Sequence, residues 1–85
     1  MQQTNYFKMR KQLFNEMQLA DLAKKFREQS GKNKSEVARE LGVHRASVSV
    51  AEEKPEQSLT ALRIRMIETY SPYKISGPVY LLEKK

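Results

Sequence analysis

Arg45, Ser47 and Ser49 are the side chains whose types and spacing most clearly suggest a chemical role in this sequence. The planar guanidinium of an arginine can bond guanine O6 and N7 at the same time, and hydroxyls can bond phosphate or base edges. Ala46 and Val50, in the same short stretch, are small apolar groups of the kind that contact a thymine methyl. The stretch therefore favours hydrogen bonding to a polyanion.

Residues that make and break bonds are scarce. The chain has no cysteine and one histidine, His44, so a thiolate site and a histidine pair are both absent from the sequence. It also has no glycine-rich phosphate loop, and its carboxylates are scattered. We therefore predict that the protein is not an enzyme, binds no cofactor and has no metal site.

Length and charge set the class of protein. Eighty-five residues make one small domain, and a net charge of +6 raises the odds of a polyanionic partner. Only the segment 51–58 has a negative net charge, because it contains three glutamates and one lysine. No apolar run approaches the roughly 18 residues that span a bilayer, and the N-terminus lacks the apolar region of a signal peptide. We expect a soluble, cytoplasmic protein with no membrane association.

The helices that must position Arg45 follow from the glycines and the apolar spacing. Apolar residues at steps of three and four indicate helix from about residue 5 to 29, shifting near residues 17–19, with Gly31 just beyond the end. Residues 1–18 are interpreted as an N-terminal helical extension. Asn33 and Glu36 have the spacing of a capping box, and Gly42 closes that helix. The residues expected to face inward are Val37, Ala38, Leu41, Val43, Val48 and Ala51.

A further helix and a β tail complete the chain. Ser58 is predicted to cap a helix that ends before Ser71-Pro72. Residues 71–85 contain two β-prone runs around Ser-Gly-Pro. The second run is apolar on both faces, which is rare at the edge of a monomer, so the tail is predicted to be a dimerisation element. Its dimerisation residues are Val79, Tyr80, Leu81 and Leu82.

The spacing Ala38-x3-Gly42-x5-Val48 resembles the helix-turn-helix of the lambda-repressor/Cro-like family, also called XRE-type regulators. The resemblance covers residues 19–70 and is most specific over 34–53. It implies a mostly α fold: a helix-turn-helix bundle of four to five helices, followed here by a short C-terminal β-strand or hairpin. The second motif helix, about residues 45–53, would be the recognition helix.

The resemblance also implies roles for individual residues. Family members hold phosphate at the start of the first motif helix, here Asn33 and Lys34, and brace the recognition helix with an internal pair, here Arg27 and Glu52. Glu53 and Glu56 depart from the family pattern, which often has polar or basic contacts there. The residues expected to contact DNA are Asn33, Lys34, His44, Arg45, Ala46, Ser47, Ser49 and Val50, although His44 is equally suited to a structural role as the N-cap.

Three binding functions remain open from the sequence. The first is a sequence-specific transcriptional regulator, expected to be a repressor, that binds double-stranded DNA as a homodimer on a palindromic operator. The second is an antitoxin that represses its own operon and also binds a toxin. The third is a helical adaptor that binds only protein. The apolar stripe of Tyr6, Phe7, Met9, Leu13 and Phe14 is a rival dimer surface to the tail.

Overall fold

The structure, a computed structural model, describes residues 15–76 and 81–85. The predicted extension over residues 1–18 lies mostly outside this range, as do Val79, Tyr80 and the side chain of Leu81. Within the described residues the chain forms four helices and then two strands. They are α1 (Glu16–Gln29), α2 (Lys34–Leu41), α3 (Arg45–Glu53), α4 (Thr60–Tyr70), β1 (Tyr73–Ser76) and β2 (Leu81–Lys84).

Capping boxes start the first two helices. The side chain of Asn15 accepts a hydrogen bond from the Gln18 N–H, and the Gln18 side chain accepts one from the Asn15 N–H, both at 2.9 Å. Asn33 and Glu36 make the same reciprocal pair at the start of α2, as predicted. Each box satisfies two amides that a helix start otherwise leaves without partners. The sequence Asn-x-x-Gln thus begins α1 at Glu16, inside the predicted extension.

A short turn joins α2 to α3. Gly42 ends α2 with a φ of 70°, in the left-handed region that glycine tolerates best, and Val43 donates to the Ala38 carbonyl at 2.9 Å. His44 then takes the N-cap position of α3. Three residues, 42–44, thus connect the two helices, and this short connection holds them against each other.

The start of α4 differs from its prediction. Ser58 does not cap the helix: Leu59 occupies the N-cap position, makes no side-chain capping bond, and the helix begins at Thr60. The hydroxyl of Thr60 instead donates to Glu16 at 2.8 Å. The helix start is therefore held by a contact with α1 rather than by a local cap.

The two strands pair antiparallel in a register that aligns Lys74 with Glu83 and Ile75 with Leu82. Phe26 of α1 packs on Tyr73 with ring centroids 5.9 Å apart. Leu82, predicted to lie in a dimer interface, is only 5% exposed and belongs to the core of its own chain. Its side chain is therefore not available to a partner, because it already fills the space that α1 and β1 leave.

One core holds all of these elements together. A mostly helical fold with a short C-terminal β element is confirmed. Four of the six residues expected to face inward between α2 and α3 are buried; Leu41 and Val43 are only half-buried. The core residues are Leu19, Leu22, Ala23, Val37, Ala38, Val48, Ala51, Leu62, Met66, Ile67 and Leu82.

Candidate nucleic-acid interface

One side of α3 is open to solvent and carries the residues predicted to read bases. Because a helix turns once in about 3.6 residues, Arg45, Ser49 and Glu53 lie along one line, with Ala46 and Val50 beside them. Arg45, Ala46 and Glu53 are exposed, and Ser49 and Val50 are half-buried. The opposite side carries the buried Val48, Ala51 and Glu52. We call the five solvent-facing residues the outer face of α3.

Arg45 has no hydrogen bond or ion pair with any residue that the structure describes. Its neighbours on the outer face, Ala46 and Ser49, are short. Ser47 is half-buried at the margin of that face, and His44 is exposed at the N-cap position without a capping bond from its side chain. Arg45 is therefore the longest donor at the N-terminal end of this surface, and it is not engaged elsewhere in the described fold.

Arg27 and Glu52 brace α3 from the side of α1. The Arg27 Nε–Glu52 Oε2 distance is 2.5 Å and the Nη2–Oε1 distance is 2.9 Å, so the two groups meet in a bidentate pair. Both residues are buried, and Arg27 also donates to the Lys32 carbonyl at 2.9 Å. Hydrogen bonding to Glu52 raises the pKa of Arg27. The two residues predicted to pair inside the molecule are thus in contact there.

Arg63 holds the C-terminal end of α3 from the side of α4, and the sequence analysis missed it. This fully buried arginine of α4 donates to the Ala51 and Lys54 carbonyls at 2.8 Å each, and to the Gln57 carbonyl at 2.9 Å. Its Nη1 also meets Glu16 Oε1 at 2.9 Å. A cation at the carbonyl end of a helix is electrostatically favourable. The signal was present, because position 63 lies within the apolar stripe formed by Leu59, Leu62, Met66, Ile67 and Tyr70.

The predicted phosphate contacts at the start of α2 are already engaged within the chain. The side chain of Asn33 is used in its capping box. The ammonium of Lys34 lies 2.5 Å from a carboxylate oxygen of Glu53, the last residue of α3. Any phosphate that approached α2 at this point would meet Lys34 already paired. The structure thus brings Lys34 to the outer face of α3 but leaves Asn33 a capping role.

Only some of the basic residues form salt bridges. In the described part of the chain, salt bridges join acids to Arg27, Lys32, Lys34, Arg63 and Lys74. Arg45 is among the cations that take no part in such a pair, together with Lys24, Lys25, Arg39 and Lys54. A surplus of basic side chains without an acidic partner therefore remains on the surface of the described part of the chain.

Comparisons with protein-family models, with curated proteins and with solved structures found no match. Over residues 15–76 and 81–85, no helix combines the length and the apolar character needed to cross a bilayer. In the same residues no group of three histidine or carboxylate side chains comes together as metal ligands do.

Proposed function

We propose that this chain is a sequence-specific double-stranded DNA-binding protein that acts as a transcriptional regulator, with α3 entering the major groove. The observation that supports this most is the combination of a firmly held α3 with an open outer face. Two buried arginines fix the helix from the inside, while Arg45 is left without a partner in the described fold. A rigid element with a projecting arginine suits base reading.

The dimensions of α3 fit the groove. A helix is about 10–12 Å across with its side chains, and the major groove of B-DNA is about 12 Å wide. Ala46 and Ser49 are short enough to let the backbone approach the bases closely. In this proposal Arg45 bonds a guanine, Ala46 or Val50 contacts a thymine methyl, and the serine hydroxyls bond phosphate or base edges.

The lambda-repressor/Cro-like resemblance supports the same assignment. It rests on Ala38, Gly42 and Val48, and these three residues do occupy a buried helix face, a left-handed turn and a fully buried site. In this proposal α2 and α3 form a helix-turn-helix of that family. Because the Asn33 side chain caps α2, we assign the phosphate contact there to Lys34 and to the backbone amides at the helix start.

We infer that the regulator binds a palindromic operator as a homodimer through the outer edge of β2. A single helix reads too few base pairs to select one site in a genome, and a dimer reads two half-sites about 34–36 Å apart. The outer edge of β1 is occupied, because its Tyr73 and Ile75 amides donate to Ser71 Oγ and Glu68 Oε2 at 3.1 and 3.0 Å. The outer edge of β2 has no such contacts in the described chain.

Selection of binding sites from random duplex DNA tests the function. The purified protein should enrich an inverted repeat, and its affinity should fall as salt rises. Arg45→Ala should lose about 1–3 kcal/mol of discrimination at one base pair of the half-site while keeping its melting temperature. Arg45→Lys is the matched control, because it keeps the charge and loses the planar pair of donors.

The Lys variant should bind random duplexes like the wild type and still discriminate less well at that base pair. If Arg45→Ala enriches the same site with the same affinity, Arg45 does not read DNA. A protein-binding adaptor would enrich no sequence and show no salt-dependent DNA binding. The antitoxin alternative predicts, in addition, co-purification with a toxin.

A further inference from the structure

Glu53 lies at the C-terminal end of the outer face of α3. Successive helical turns bring it into line with Arg45 and Ser49, and its side chain is 54% exposed. A carboxylate at this position would repel a DNA backbone, because both are negative. An acid on a proposed DNA-binding face therefore needs an explanation.

Lys34 supplies the neighbouring positive charge. Its Nζ lies 2.5 Å from Glu53 Oε2, and its side chain is only 18% exposed, so the aliphatic part packs against the protein and the ammonium is directed to the carboxylate. The hydrogen bond from Lys34, and then its charge, lower the pKa of Glu53; the charges of Lys24 and Arg27 add to this effect. The carboxylate is therefore ionised and paired at neutral pH.

We propose that Glu53 limits the affinity of this surface for the DNA backbone by holding the ammonium of Lys34. The inference rests on the proposed DNA binding. A bound phosphate must take Lys34 away from Glu53, or else bind beside a pair whose net charge is zero. Either way the contact gains less than that of an unpaired lysine, so Glu53 lowers affinity for all sequences alike and leaves the contribution of Arg45 to discrimination unchanged.

Neutralising Glu53 tests this directly. The probe is a fluorescent duplex of random sequence, titrated with the full chain over a range of salt concentrations. Glu53→Gln should bind more tightly than the wild type, with a salt slope steeper by about 0.9, the contribution of one additional phosphate contact. Between about 50 and about 200 mM salt its affinity should therefore fall roughly three- to fourfold more than that of the wild type.

Glu56→Gln is the matched control. Glu56 is also exposed, lies in the loop after α3 and makes no ion pair in the described chain, so its substitution changes the net charge by the same amount. It should raise affinity less and leave the slope near that of the wild type. In a Lys34→Gln background, Glu53→Gln should no longer steepen the slope, because the lysine it would release is gone.

Each other result overturns the proposal in a recognisable way. Equal gains from Glu53→Gln and Glu56→Gln would show an effect of net charge alone. A changed preference at one base pair would make Glu53 a base reader, since a carboxylate can accept from cytosine N4. If the wild type binds DNA and Glu53→Gln binds no more tightly, Glu53 does not limit affinity, but the proposed DNA-binding function is not contradicted. A complete lack of salt-dependent DNA binding in every variant would contradict both the role of Glu53 and the proposed DNA-binding function.

Discussion

The hydroxyl of Tyr70 donates a hydrogen bond to the carboxylate of Glu40 and so joins the last turn of α4 to the last turns of α2. Lys32 meets the same carboxylate at 2.7 Å. Desolvation, followed by the hydrogen bond to Glu40 and the charge of that carboxylate, raises the pKa of Tyr70 to about 12. The hydrogen bonds from Lys32 and then Tyr70 lower the pKa of Glu40. The contribution of this contact to stability should therefore depend on pH and can be measured from that dependence.

Stability should fall between about pH 10 and about pH 12. The unfolded chain loses the Tyr70 proton near its ordinary value of 10.0, whereas the folded chain keeps it to about 12. Over that interval the folded state binds more protons than the unfolded state, so raising the pH favours unfolding. We expect the free energy of unfolding, from urea titrations at several pH values, to decrease more in the wild type than in Tyr70→Phe.

Glu40→Gln separates the two causes. Burial remains in that variant, so the pKa of Tyr70 should fall part of the way and stay above its ordinary value. A wild type and a Tyr70→Phe variant with identical pH dependence would contradict the assignment of this tyrosine.

At the scale of the elements, α3 depends on buried charges from two neighbouring helices. Arg27 of α1 pairs with Glu52, and Arg63 of α4 binds the carbonyls at the C-terminal end. Glu52→Ala should lower the free energy of unfolding by about 3–5 kcal/mol, because a buried arginine would lose its partner. A small domain has only about 5–15 kcal/mol in total, so the loss should be evident in a urea titration.

Glu56→Ala serves as the control, with an expected change within about 0.5 kcal/mol, because Glu56 is exposed. Replacing Arg27 and Glu52 together by Met should cost less than Glu52→Ala alone, since no buried charge remains unpaired. Equal destabilisation by Glu52→Ala and Glu56→Ala would show that the pair does not support α3.

Local signals predicted some elements well for physical reasons. The capping box at Asn33 and the glycine after α2 depend on neighbours in the sequence, so spacing alone identifies them. The start of α4 depends on Thr60 reaching Glu16 in another helix, and no local pattern contains that contact. Arg63 shows the same limit: an arginine in an apolar stripe indicates burial, but its acceptors come from α1, α3 and the following loop.

In the candidate site, too, some features could be predicted from the sequence and others could not. Periodicity identified α3, and the resemblance to a known family placed Arg27 opposite Glu52. The pairing of Lys34 with Glu53 was not foreseen, because the two residues lie at the start of one helix and the end of the next. Their contact follows from the way α2 packs against α3, which the spacing of residues does not specify.

For the whole molecule, the β element links the fold to the proposed dimer. In an antiparallel pair, alternate residues direct their backbone groups toward the partner strand. Lys85 N–H donates to the Pro72 carbonyl at 2.9 Å, so residues 81, 83 and 85 face β1, and the amides of Leu82 and Lys84 face outward. Deleting everything after Ser76 would also remove Leu82 from the core. A loss of the dimer in that truncated protein could then result from a loss of folding.

Lys84→Pro is a cleaner test of the dimer. Proline removes the outward N–H of β2 and is tolerated at a strand edge, while the bonds to β1 stay intact. Sedimentation should show a dimeric wild type and a monomeric Lys84→Pro variant that binds half-sites weakly and loses cooperative binding to an inverted repeat. Lys84→Ala keeps the N–H and should remain dimeric. A dimeric proline variant would move the interface to the apolar stripe of residues 6–14.

The separation of the two sides of α3 also affects how the sequence of such a protein can change by mutation. Arg45, Ala46 and Glu53 are exposed, whereas the helix is fixed through Val48, Ala51 and Glu52. Mutations that alter the outer face leave the anchoring side chains untouched, so new variants at these positions can accumulate without passing through misfolded intermediates. The same partition makes the outer face a suitable set of positions for a combinatorial library, and it gives natural selection a surface that can diversify while the scaffold stays constant.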